Sequence, residues 1–163
     1  MTITFRKARQ ADIPHITAIY ADARRFMAAS GNPNQWIDGY PSEADVRADI
    51  SANVLWTACR GDEILAAFAL IEGPDPTYAH IQGAWLNDRP YAVVHRLASS
   101  GKVGGIGETC LRWCLDRHNT LRVDTHADNS VMQRTLIRMG FVYTGIILCH
   151  NGTPRLAYQL DRR

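Results

Sequence analysis

The sequence predicts an α/β protein built on one mixed β-sheet flanked by about four helices, and three observations carry that prediction. Apolar residues alternate between a period of two and a period near 3.6 along the chain, so strands and helices are interspersed. Residues 55–60 and 63–72 read as strands joined by Gly61-Asp62, a two-residue connection suited to an antiparallel hairpin. Residues 91–98 and 121–125 read as strands separated by a helix, and such a crossover makes two strands parallel. The 163 residues suit one domain covering 1–163, with 46% apolar and 21% charged residues, as in globular chains.

Ile3 and Phe5 alternate with Thr4 and Arg6, the pattern of a first strand with one buried face. Asp12 is placed to cap the next helix, which has Pro14 in its first turn. Ile13, Ile16, Ile19, Tyr20, Ala23, Phe26 and Met27 give that helix an apolar stripe to about Ala29. Residues 30–41, SGNPNQWIDGYP, combine turn formers with two large flat side chains, Trp36 and Tyr40. They form either a loop pinned to the core by its aromatics or one wall of a binding pocket, with Asp38 available to a cationic ligand. Ser42 and Asp45 make a capping box for a second helix through Val46 and Ile50.

Beyond the hairpin, residues 77–86 read as one more strand, and Asn87 to Pro90 turn the chain into the run 91–98, where His95 reads as structural. From Ile106 the period becomes helical, with Cys110, Leu111, Trp113 and Cys114 on the apolar side. Cys110, Cys114 and His118 are spaced as a possible metal stripe, but buried helix-face residues account for them better, and the expectation is reduced thiols and no metal. Asn129 caps a last helix, 130–139, with Val131, Met132, Thr135, Leu136 and Met139 inward. A terminal hairpin pairs 141–149 with 155–160 around Asn151-Gly152.

The glycine-dense junction between the strand 91–98 and the helix after it carries most of the chemistry. Gly101, Gly104, Gly105 and Gly107 let main-chain N–H groups approach a bulky ligand, and a helix N-terminus attracts anions. A phosphate or pyrophosphate is the natural guest. A P-loop is excluded, because Lys102 precedes the later glycines. A dinucleotide fingerprint is met only in part: Cys110 stands where its third glycine belongs, although Asp124 ends the next strand as a ribose-binding acid would. Lys102-Val103-Gly104-Gly105-Ile106-Gly107 fits a third pattern, Arg/Gln-x-x-Gly-x-Gly/Ala, with Lys in the basic position.

That last pattern resembles the acyl-CoA loop of the GCN5-related N-acetyltransferases, the GNAT superfamily. Asp124 to Asn129, the helix after them and Gly140-Phe141 are similar to the family's later strand, Asn-led helix and terminal Gly-Phe, so the resemblance spans nearly the whole chain. It implies a GNAT-like acyl-CoA N-acyltransferase fold, with acetyl-CoA in a V-shaped split between the strands 91–98 and 121–125. It further implies that Leu97 and Ala98 pair with the pantetheine arm and that Val103, Gly104, Gly105, Ile106, Gly107 and Glu108 hold the pyrophosphate beside Lys102. Asn129 would contact the pantetheine.

The implied reaction is acetyl transfer to a primary amine of a small acceptor, which needs a base for the amine proton and often an acid for the thiolate. The family's usual tyrosine position holds Leu136, so that role is not carried over. His126 and Glu72 are candidate bases, and Tyr143 and His126 are candidate acids; each also has a structural account, with His126 and Asp128 bonding only the turn backbone. Trp36, Asp38, Tyr40 and Asp128 are the candidate acceptor contacts. Two other readings stay open, a nucleotide- or NAD-dependent oxidoreductase and a non-catalytic acyl-CoA-binding module.

The net charge of +2 leaves no basic surplus to argue for nucleic acid. No run approaches the ~18 apolar residues of a membrane span, and the N-terminus lacks the apolar core of a signal sequence. The expectation is a cytoplasmic monomer or homodimer whose partner is a small-molecule amine, with no nucleic acid and no membrane.

Overall fold

Alternation and helical periodicity produce the elements in the expected order. The computed structural model describes residues 2–162. The elements are β1 (Thr4–Lys7), α1 (Ile13–Ala29), α2 (Glu43–Ser51), β2 (Leu55–Arg60), β3 (Glu63–Glu72), β4 (Gln82–Gly83), β5 (Ala92–Ser99), α3 (Ile106–Arg117), β6 (Thr120–Thr125), α4 (Ser130–Met139), β7 (Val142–Leu148) and β8 (Pro154–Asp161). The strands form one mixed sheet in the order β1-β2-β3-β5-β6-β8-β7-β4. Among the described residues only β5 and β6 run parallel, joined by the α3 crossover.

Both faces of the sheet are covered. Phe68 and Leu70 of β3 turn toward Leu111 and Cys114 of α3 and Leu136 of α4. Ala67, on the opposite face, packs with Ile16 and Tyr20 of α1 and Val46 of α2. Each such buried Leu or Ile contributes roughly 1.5–3 kcal/mol. Cys110 and Cys114 belong to the α3 core, where burial pushes the Cys110 thiol up to about 12. The Ser42–Asp45 capping box forms reciprocally, and Asn129 caps α4 through Oδ1, which accepts from the Met132 N–H at 3.0 Å.

Four expectations are corrected. Asp12 precedes α1 but does not cap it, because its carboxylate is taken by Arg6 at 2.7 and 3.0 Å and by the Arg9 N–H at 2.8 Å. The α1 stripe is buried at Ile13, Ile16, Ile19 and Tyr20 but not at Phe26, which is 60% exposed. Val131 stands outward in the first turn of α4, and Leu136 is the residue of that helix which is fully buried. Residues 77–86 are not one strand. Asp75 accepts from the Thr77 N–H at 2.8 Å and Pro76 starts a single 3-10 turn, so only Gln82 and Gly83 reach the sheet edge, against β7.

The feature that positions the site is the join of β5 and β6. Their register holds only at Ala92↔Leu121 and Val93↔Arg122. Beyond it β5 stays paired to β3 as far as Ser99, and β6 stays paired to β8 as far as Thr125. The sheet therefore opens between two strands that are each anchored on their other side.

Candidate active site

The split is stabilised by a bulge in β5. Arg96 has φ 55°, a left-handed backbone that costs a non-glycine residue about 1–2 kcal/mol, and the β3 register slips opposite it between Ala67 and Ala69. Side chains from the other face hold it there. The Tyr20 hydroxyl donates to the Arg96 carbonyl at 2.8 Å, and the Arg96 guanidinium donates to both oxygens of Asp49 at 2.7 and 3.0 Å and to the Tyr40 hydroxyl at 3.0 Å. Burial alone would make that guanidinium easier to deprotonate, but Tyr40 and Asp49 outweigh it and keep it charged.

The split opens into a cleft of about 330 Å³. Val94, His95 and Leu97 of β5 form one wall, and Val123, Asp124 and Thr125 of β6 form the other. Trp36 and Tyr40 close it from the loop before α2, and Asn129, Met132 and Arg155 complete it. On the His95 side, Nε2 lies 2.8 Å from Asp75 Oδ2, while Nδ1 lies 3.9 Å from Asp124 Oδ2. The Tyr78 hydroxyl donates to that same Asp124 oxygen at 2.6 Å. Burial would push the Asp75 carboxyl up, yet hydrogen bonds from His95 and from Thr77 outweigh it and hold it at about 2. An ionised Asp75 only accepts, so Nε2 carries the proton between them and Nδ1 is the nitrogen turned toward Asp124.

At the mouth of the split, Gly105 has φ 74° and sits at the N-cap of α3, with no side chain capping the helix. The first helical N–H groups thus have no capping side chain, and a Cβ on Gly104 or Gly105 would meet nothing within 4 Å. This is an anion-binding end open to a bulky ligand.

No protein-family model and no curated protein sequence matches this chain. Among solved structures, a GNAT-family acetyltransferase from Streptococcus agalactiae shares 30% identity over 99% of this chain and 96% of its own, with a TM-score of 0.89. The chain belongs to the GNAT family of acetyltransferases. A chain from Staphylococcus aureus assigned as an acetyltransferase is 20% identical over 97% of this chain and 98% of its own, with a TM-score of 0.72, and shares the fold. A chain of the NatC complex, solved bound to a Gag peptide and CoA, is 13% identical over 100% of both chains, with a TM-score of 0.60; it shares the fold.

Within this GNAT fold the predicted cofactor residues divide. Gly104, Gly105, Ile106 and Gly107 form the loop and first turn of α3, and Leu97 lines the cleft beside Gly107. Val103 packs on the core and Ala98 is buried. Lys102 is exposed and pairs with Glu63 at 2.8 Å. The Glu108 carboxylate is turned away to Arg112 and Arg138, leaving its N–H as the group at the helix start. Asn129 lines the cleft, but Oδ1 caps α4 and Nδ2 donates to Gln35 Oε1 at 2.9 Å.

The predicted catalytic residues lie elsewhere. Glu72 shares the β3 face of Phe68 and Leu70, so strand alternation sends it to the α3 side, beside Asp116, Arg117 and His118. Tyr143 is half exposed on β7, edge-on to Tyr158 at 5.7 Å, outside the cleft. His126 accepts from the Asp128 N–H through Nδ1 at 3.0 Å and does not line the cleft, so it and Asp128 bond the turn. Trp36 and Tyr40 do line it, whereas Asp38 is exposed outside at φ 55°. His95, expected to be structural, lines the cleft, as does His150, which packs on Tyr40 at 4.8 Å. The partners of His95 are more than 15 residues away in sequence, and Asp75 carries a signal only as the acid of a Gly-Pro-Asp-Pro turn. Gln35 was also missed: it lies in the aromatic loop and its Oε1 accepts from Asn32, Thr125 and Asn129. The dinucleotide reading loses its acid, since Asp124 is bonded to Tyr78. Among the described residues, no three His, Cys, Asp or Glu side chains converge as a metal site.

Proposed function

We propose that the chain transfers an acetyl group from acetyl-CoA to the amine of a small acceptor. The observation that carries this reading is the two-pair contact of β5 and β6, which leaves one edge of β5 free beside an uncapped helix N-terminus. Main-chain groups along residues 94–98 would bond the pantetheine arm, and the N–H groups of residues 106–108 would hold the pyrophosphate. Both fit what family membership predicts, and the four-Å clearance at Gly105 leaves room for the phosphates.

The acceptor arrives as an ammonium and needs negative charge near it; Asp75 and Asp124 supply that. The ammonium gives one proton to solvent and reacts as the neutral amine; His95 Nδ1 takes a second N–H proton as the nitrogen attacks, with Asp75 fixing the ring through Nε2. The amine nitrogen bonds to the acetyl carbonyl carbon, the carbon–sulfur bond breaks, and sulfur leaves as a thiolate. The imidazolium so formed gives its proton to the departing sulfur, so no second acid is needed. That removes the need for the tyrosine that Leu136 replaces.

The test is thiol release from acetyl-CoA over a panel of amines, with acetyl-CoA affinity measured alongside. Wild-type turnover is expected, and His95→Ala should lower kcat by roughly 10²–10⁴ with acetyl-CoA affinity nearly kept. Binding of acetyl-CoA without amine-dependent thiol release would instead identify a non-catalytic binding module.

A further inference from the structure

Arg155 differs from the other buried and half-buried arginines near the sheet. It is 5% exposed, lies on β8 and lines the cleft. Arg6 is paired with Asp12 and Arg96 with Asp49, while Arg122 is stacked between the rings of Trp85 and Tyr91 at 4.2 and 4.0 Å. Among the described residues no carboxylate pairs with Arg155. Its bonds go to neutral oxygens: Nη2 donates to the Gln35 carbonyl at 2.9 Å, and Nη1 donates to Thr153 Oγ1 at 2.9 Å and to the Pro154 carbonyl at 3.2 Å. Among the described residues, the N–H on Nε and one N–H on Nη2 have no acceptor. A buried charge is unfavourable unless an anion answers it, and here the open side of the group is the cleft.

We infer that the acceptor carries a carboxylate as well as an amine, in the manner of an amino acid, and that Arg155 binds the carboxylate. The inference rests on the proposed acetyl transfer. It adds the positive end of a cleft whose other end is negative. Asp124 stands opposite Ala157 in the β6–β8 register, and Arg155 lies two residues along on the same face. Diagonal neighbours of that kind have Cβ atoms roughly 7 Å apart, a span that a small zwitterion can bridge with its ammonium toward Asp124 and His95. A phosphate fits less well, since it would bring about two negative charges to a single free guanidinium beside Asp75 and Asp124. Arg155 thereby selects among amines and takes no part in the proton transfer.

The experiment compares the common L-amino acids with their carboxamides and with the corresponding decarboxylated amines. Thiol release is followed with acetyl-CoA, and binding is followed by calorimetry with CoA present. The wild-type chain should prefer at least one amino acid over its carboxamide by about tenfold or more in kcat/KM, with the preference in KM, as a charged hydrogen-bonded pair implies. Arg155→Met should erase most of that preference, and Arg155→Lys, which keeps the charge without the fork, should restore part of it. Equal use of acids, amides and amines by the wild-type chain overturns the inference and leaves acetyl transfer intact, and this comparison needs no variant to fold. If no amine is turned over, the proposed function fails, and calorimetry decides the carboxylate site alone: tighter binding of acids than amides supports it, and no difference overturns it.

Discussion

Asp75 is an anion because of what surrounds it, and its charge orients the imidazole. Its carboxyl is held at about 2 although burial opposes ionisation, because His95 and Thr77 bond the charged form. An unfolded Asp titrates near 3.9, so the folded value is depressed. The contribution to stability is therefore fully present above about pH 4 and is lost as pH falls toward 2. Melting temperatures of wild type and Asp75→Asn across pH 2–7 should differ most above about pH 4 and converge toward pH 2. A gap that stays constant with pH would show that the Asp75 charge is not what stabilises the fold.

The bulge in β5 does at the level of an element what Asp75 does for one ring. A single residue in left-handed backbone shifts the register with β3 and turns the edge of β5 away from β6, and the cost is met by Tyr20 and Asp49 from α1 and α2. Tyr20→Phe removes the hydroxyl from a wholly buried site and leaves the Arg96 carbonyl without its partner. Urea denaturation should show a loss of about 1–3 kcal/mol, and acetyl-CoA affinity should fall as well, since the free edge of β5 is set by the same residue. Unchanged affinity in the folded variant would mean that Tyr20 supports the core and not the split.

Across the whole molecule, local chemistry was legible and convergence was not. The Gly61-Asp62 hairpin, the Ser42–Asp45 box, the Asn129 cap and the glycine loop each depend on residues a few positions apart, and each forms where it was read. The proposed proton-transfer site depends on Asp75, His95 and Asp124, which come from three segments and meet where β5 and β6 part. Glu72, Tyr143 and His126 have suitable chemistry, but strand alternation and a tight turn send them elsewhere. The central claim remains that acetyl-CoA lies in the split with its phosphates on the loop before α3. Calorimetry of wild type and Gly105→Val with acetyl-CoA tests it most directly, with circular dichroism establishing that the variant is folded. The left-handed φ of Gly105 will cost the variant some stability, but in the folded fraction the added side chain stands where the phosphates belong. The account predicts saturable binding by wild type that weakens by more than about tenfold, or about 1.4 kcal/mol, in the variant; undiminished affinity in a folded Gly105→Val protein would contradict it.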